Sequence, residues 1–310
     1  MRLCVFTEPQ LGATYEQQLA MAQRAESLGF DGYFRSDHYI SFGGGGEPGP
    51  TDSWVTLGAL ARETSRIRLG TLVTSATFRL PGPLAIAVAQ VDAMSGGRIE
   101  LGIGTGWHEG EHKAYGIPFP PIGERFDRLE EQLAVITGLW STPAGQLFSY
   151  QGHYYDLTDS PALPKPVQQG GPPIIVGGGG PKRTPALAAR FASEFNVPFR
   201  SLADTARQYD RVGDACAAEG RDGRSTMVFS FARTIICGRN DDEVKRRAAA
   251  AGMDATDMGD GGTAGTPEQV AEQLRAFRDN GAQRAFLQIL DFDDLDQLDL
   301  IAAEVAPFLA

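Results

Sequence analysis

Cysteine is scarce in this chain of 310 residues: there are three, Cys4, Cys216 and Cys237. They lie far apart and form no C-x-x-C pair, which excludes a disulfide framework and points to reduced thiols in a cytoplasmic setting. Long apolar runs are missing too. None approaches the ~18–20 residues that span a bilayer, so no membrane partner is expected. The opening "MRLCVFTEPQ" carries one basic residue and breaks at a proline, which is no signal-peptide pattern. Basic charge is in deficit, with 28 Lys and Arg against 39 Asp and Glu and a net charge of −11. A nucleic-acid partner would want a basic face, so that class is excluded as well. No internal repeat or disordered tail is visible, and no G-x-G-x-x-G follows the first apolar run.

What is present is a globular composition, 42% hydrophobic and 22% charged, with strand and helix patterns alternating from end to end. Strands are expected at 2–6, 32–36, 67–74, 98–104, 173–180, 194–199, 226–237 and 285–290. Helical patterns lie between them. The clearest is "GERFDRLEEQLAVITGLW", whose Phe126, Leu129, Leu133, Ile136 and Trp140 recur at steps of three and four. "QLFSYQGHYYDLTD" reads as a hairpin, and "MDATDMGDGGTAG" as a polar loop between two helices. Eight strands alternating with helices predict one α/β domain over 1–310, a (β/α)8 TIM barrel with insertion segments. A doubly wound sheet has the same local grammar. The strand count, and the missing fingerprint after the first strand, favour the barrel.

In a barrel the chemistry sits just past the strand C-termini. Asp37 and His38 follow the second strand, and a residue pair of that kind can orient a ligand and move protons. Thr74, Ser75 and Thr77 at the end of the third offer a polar lining. After the fifth come Gly177 to Gly180 and then a helix. That arrangement suits a phosphate, with Lys182 and Arg183 adding positive charge. The segment "LGIGTGWHEGEH" spells H-E-x-x-H across His108 to His112, a zinc-helix pattern. Gly110 inside it and the strand-to-turn context argue against a metal, and none is expected.

The stretches "AESLGFDGYFRSDHY", "SGGRIELGIGTGWHEGEHKAYGIPFPPIGERFDRLEEQLAVITGLW", "PPIIVGGGGPKRTPALAARFASEFN" and "GTPEQVAEQL" resemble the bacterial luciferase-like monooxygenase superfamily. Within it they are most similar to coenzyme F420-dependent oxidoreductases. The resemblance runs in order from about Met1 to Leu290. It implies a barrel with a deazaflavin or flavin at the strand C-termini. Asp37 would meet the ring's polar edge, and His38 would face the substrate as the catalytic proton donor or base. A cis peptide at Leu72-Val73 would back the ring, with Thr74 and Ser75 near it. Gly106, Trp107 and His108 would flank the cofactor, and Gly177, Gly178, Gly179, Gly180 and Pro181 would bind its phosphate. Glu111 and His112 would fix the loop to the barrel. One departure stands out: the F420-dependent sugar-phosphate dehydrogenases carry a glutamate where this chain has Trp107.

The expected function is therefore hydride transfer between F420 and a small organic substrate. The alternative is an FMN-dependent monooxygenase using reduced flavin and O2, with a flavin reductase as partner. A non-catalytic flavin-binding protein and a zinc hydrolase are the rivals from other classes. The resemblance also implies a homodimer. The glycine-rich 41–50 loop is either a lid over the site or a plain surface loop.

Overall fold

A computed structural model describes residues 1–42 and 45–309. Eight parallel strands close into a ring: β1 (Arg2–Thr7), β2 (Gly32–Arg35), β3 (Arg68–Thr71), β4 (Ile99–Gly104), β5 (Ile174–Gly177), β6 (Glu194–Pro198), β7 (Val228–Cys237) and β8 (Arg284–Gln288). Each pairs with the next, and β8 returns to β1. This is the expected (β/α)8 barrel. The helices before α4 are α1 (Tyr15–Leu28), α2 (Ser53–Glu63) and α3 (Pro81–Ser95). Local signals set their ends. Thr14 and Gln17 form a capping box on α1, Asp52 accepts from the first N–H groups of α2, and Pro81 opens α3. Next come the short α4 (Glu109–Ala114) and α5 (Ile122–Ser141), which buries Leu129, Leu133, Ile136 and Trp140 as its period requires.

Alternation along the strands builds the interior. On β1, Leu3 and Val5 face the helices while Cys4 and Phe6 face inward. Phe34, Leu72, Ile175, Ala232 and Phe286 join them to fill the barrel, with Phe34 and Phe286 edge to face at 4.9 Å. Gly70 makes room: a Cβ there would sit 2.5 Å from the Phe34 ring. Towards the strand N-termini the filling is ionic. Arg284 donates to Glu100 at 2.6 Å and to Glu194 at 2.9 Å, and Arg68 also reaches Glu100. Burial alone would push Glu100 up, but Arg284 and Arg68 hold it below the usual carboxylate range. At Glu194 burial wins, and its carboxyl is pushed up.

Two local expectations change. The third strand is not continuous over 67–74. It breaks at Leu72-Val73, which is cis, and resumes as Thr74–Ser75 beside β4. The 253–265 segment, expected as a polar loop, is not all loop: Gly262–Gly265 adds a strand to the upper half of β7. The ten-residue β7 outruns its neighbours: it pairs with β6 only as far as Ala232, and the edge left on that side from Thr234 to Cys237 is the one that Gly262–Gly265 takes. The hairpin is present as Phe148–Gln151 against Asp156–Ser160. Of the 41–50 loop, Gly43 and Gly44 lie outside the described residues.

Replacing Arg284 with Met leaves Glu100 and Glu194 buried without their shared cation. The expected loss is about 3–5 kcal/mol of unfolding free energy, read from urea denaturation at neutral pH.

Candidate active site

A cavity of about 670 Å³ opens at the C-terminal end of the barrel, a size ordinary for small-molecule sites. It begins where the inward filling stops. Glu8, Ser36, Thr234 and Gln288 each stand two residues beyond an inward core residue (Phe6, Phe34, Ala232, Phe286) and line its floor. Glu8 is buried and accepts from Gln10 Nε2 at 2.7 Å and Gln288 Nε2 at 2.9 Å. Leu72 and Val73, on either side of the cis peptide, provide the apolar base. A Cβ on Gly104 would meet Val73 at 3.1 Å, so a side chain there would intrude beside that base.

Of the residues expected at the site, Asp37, His38, Leu72, Val73, Ser75, Gly106, Trp107, Gly177 and Gly178 all line this one cavity. Asp37 does so with its acceptors in use: Thr74 Oγ1 and Arg79 both donate to its carboxylate, and Arg79 also reaches Asp52 at 2.6 Å. Thr74 therefore lies behind the wall rather than on it. Gly106 takes the left-handed turn that this loop needs, at φ 76°, and a side chain there would collide with Ser75 Oγ.

His38 is the best-placed proton carrier. Glu111 holds its Nδ1 at 3.0 and 3.1 Å and also accepts from the Tyr39 backbone N–H at 3.0 Å. A carboxylate only accepts, so Nδ1 donates to it and Nε2 is the nitrogen left free of Glu111. Burial works against the charged ring, yet the hydrogen bond and charge of Glu111 outweigh it. The His38 pKa is raised above its ordinary value.

The H-E-x-x-H segment is thus divided among three tasks. Glu111 holds His38, whereas His112 Nδ1 meets the His108 carbonyl at 2.8 Å and its Nε2 meets Thr77 Oγ1 at 2.6 Å. His108 packs against Phe42 and Trp107, outside the cavity lining, and its Nε2 is buried without a partner among the described residues. Among the described residues no group of three or more His, Cys, Asp or Glu is placed to hold a metal.

The glycine loop after β5 leads into helix α6 (Arg183–Phe191). Gly179, Gly180 and Pro181 stand beyond the cavity lining. Gln208 donates to the Gly180 carbonyl at 2.7 Å, and Gly180 abuts Thr184. Arg183 is not free for an anion, since it donates to Asp127 at 2.6 Å and to the Gly123 carbonyl. Arg200, just past β6, is free: its guanidinium lies over Gly179, lines the cavity and pairs with no described residue. Sequence reasoning missed Arg200, Glu8 and Gln288. Counting inward by twos past the strand ends would have found the last two. Arg200 carried no signal, because its use depends on β6 lying beside β5.

Residues 1–258 match the luciferase-like monooxygenase family, and the chain belongs to it. It is 38% identical to the F420-dependent glucose-6-phosphate dehydrogenase of Microbacterium testaceum over 172 residues, covering 55% of this chain and 49% of that protein. It is 32% identical to the F420-dependent hydroxymycolic acid dehydrogenase of Mycobacterium tuberculosis over 244 residues, covering 76% of this chain and 62% of that one. The chain spans about half to three-fifths of the length of such curated relatives. Among solved structures, an F420-dependent secondary alcohol dehydrogenase superposes with a TM-score of 0.84 at 19% identity, covering 100% of this chain and 99% of that one, which shows a shared fold.

If Glu111 sets the protonation of His38, Glu111→Gln lowers the His38 pKa, because the negative acceptor is gone while burial remains. NMR titration of the histidine ring protons reads this directly, and an unmoved pKa would refute the pairing.

Proposed function

We propose that this protein is a coenzyme F420-dependent oxidoreductase, moving a hydride between the deazaflavin and a small organic substrate. One observation carries the reading. A single cavity holds a carboxylate-oriented histidine after β2 and an arginine, unpaired among the described residues, over a glycine loop at β5 and β6. In a ring of eight, β2 and β6 lie on opposite sides. A ligand with an anionic group and a reactive ring is thus matched at two ends. The names of the curated relatives favour F420 over FMN.

The residues fit such a group. Leu72 and Val73 offer an apolar base for a flat ring, Gly177 and Gly178 let the backbone approach a phosphate, and Arg200 supplies the charge. When bound, the deazaflavin supplies or accepts the hydride. The chain's own part is proton handling and placement. As the substrate gains a hydride, His38 delivers the matching proton, and in reverse it takes one. Glu111 keeps Nδ1 occupied and stabilises the ring when charged. Asp37 is held by Arg79 and Thr74, so its share is to fix the wall beside the ring.

A homodimer is part of the same reading. Helices α2 and α3 pack on each other, and Val55, Ile86 and nearby Leu80 are exposed large apolar side chains. Such residues suit a second copy of the chain. A reducing compartment suits the three free, buried cysteines.

Titration of the purified protein with F420 and with FMN tests the cofactor. F420 should bind, and Arg200→Ala should weaken it roughly tenfold to a hundredfold, as expected for a lost charge-assisted hydrogen bond. Micromolar FMN binding with no F420 binding would overturn the assignment. Val55→Glu should shift the protein from dimer towards monomer in analytical ultracentrifugation.

A further inference from the structure

We infer that the substrate is an uncharged alcohol or carbonyl compound with an apolar body, taken up against Phe42 and Trp107, and not a sugar phosphate. The inference rests on the F420-dependent reading and narrows it.

The first ground is the aromatic wall beside His38. Phe42 meets the His38 ring edge to face at 4.7 Å, Trp107 lies 5.2 Å from Phe42, and Trp107 stands 5.6 Å from His38. Both aromatics line the cavity, yet Trp107 is 64% and Phe42 44% exposed. Large apolar faces left open at a cavity mouth are surface that a ligand can remove from water.

The second ground is charge. Arg200 is the one lysine or arginine among the described lining residues, and it stands on the glycine-loop side. On the His38 side every nearby cation is already engaged. Arg79 is held by Asp37 and Asp52, Lys113 by Glu109, and Arg125 by the Gly106 and Pro120 carbonyls. The acids Glu8, Asp37 and Glu111 line the cavity instead. A phosphate brought against Phe42 and Trp107 would lose water, find His38 already paired with Glu111 and Arg79 with Asp37, and face Glu8, whose partners are the neutral amides of Gln10 and Gln288. A neutral hydroxyl or carbonyl needs one hydrogen-bond partner, and His38 provides it. The reaction balances on that class: a carbonyl carbon takes the hydride from reduced deazaflavin and its oxygen takes the proton from His38, giving the alcohol. The reverse oxidises the alcohol.

The test uses Trp107 itself. Trp54 and Trp140 are 4% and 6% exposed, so acrylamide-quenchable emission reports on Trp107. Quenching is measured with and without F420, in the presence of cyclohexanol or of glucose 6-phosphate. Cyclohexanol should shield Trp107 and glucose 6-phosphate should not. Phe42→Ala should raise the half-shielding concentration about tenfold, the scale of one lost aromatic contact, while F420 affinity stays unchanged. Shielding by glucose 6-phosphate, shielding by neither compound, or indifference to Phe42→Ala would overturn the inference. Because F420 binding is read separately, its failure would count against the cofactor assignment and not be confused with these outcomes.

Discussion

Every second residue of each strand must point into a closed ring only wide enough for side chains, and the rest of the structure depends on that constraint. Ionic side chains around Arg284 occupy the strand N-terminal end of the interior, and the Phe34–Phe286 pair fills the middle. Side chains at the next inward positions have no further layer above them, and they become the cavity floor. Glu8 and Gln288 are there because Phe6 and Phe286 are two residues below. The same alternation that secures the core therefore decides which side chains a ligand meets.

The walls come from loops, and their order comes from ties between loops. Glu111 reaches from the β4 loop to His38 and the Tyr39 N–H on the β2 loop. His112 reaches from the same helical turn to Thr77 on the β3 loop. One short segment thereby sets the relative position of three strand ends. A zinc-like spelling of His and Glu performs structural and proton-positioning work here, because its side chains diverge to separate partners.

Charge separates the two halves of the site. Around His38, Arg79 and Lys113 are paired with carboxylates and Arg125 has its donors on carbonyls, whereas Arg200 across the barrel pairs with no described residue. That asymmetry matches one ligand anchored by an anionic group and a second, neutral ligand beside the proton carrier. The curated relatives named for a sugar phosphate are matched over only part of their length, so their substrate does not carry across by likeness alone.

The sequence by itself determined the barrel, its eight strands and the family. All of these rest on short-range periodicity or contiguous motifs. It also placed Asp37, His38, Trp107 and the glycine loop at the strand ends, since any residue after a barrel strand lies at the mouth. Tertiary structure alone decided the rest. Whether Gly262–Gly265 is strand or loop turned on an open edge of β7. Whether Arg183 or Arg200 keeps a free charge turned on where Asp127 lies, and whether Glu111 serves His38 or a metal turned on loops 73 residues apart meeting. Those are contacts between distant parts of the chain, and no local pattern encodes them.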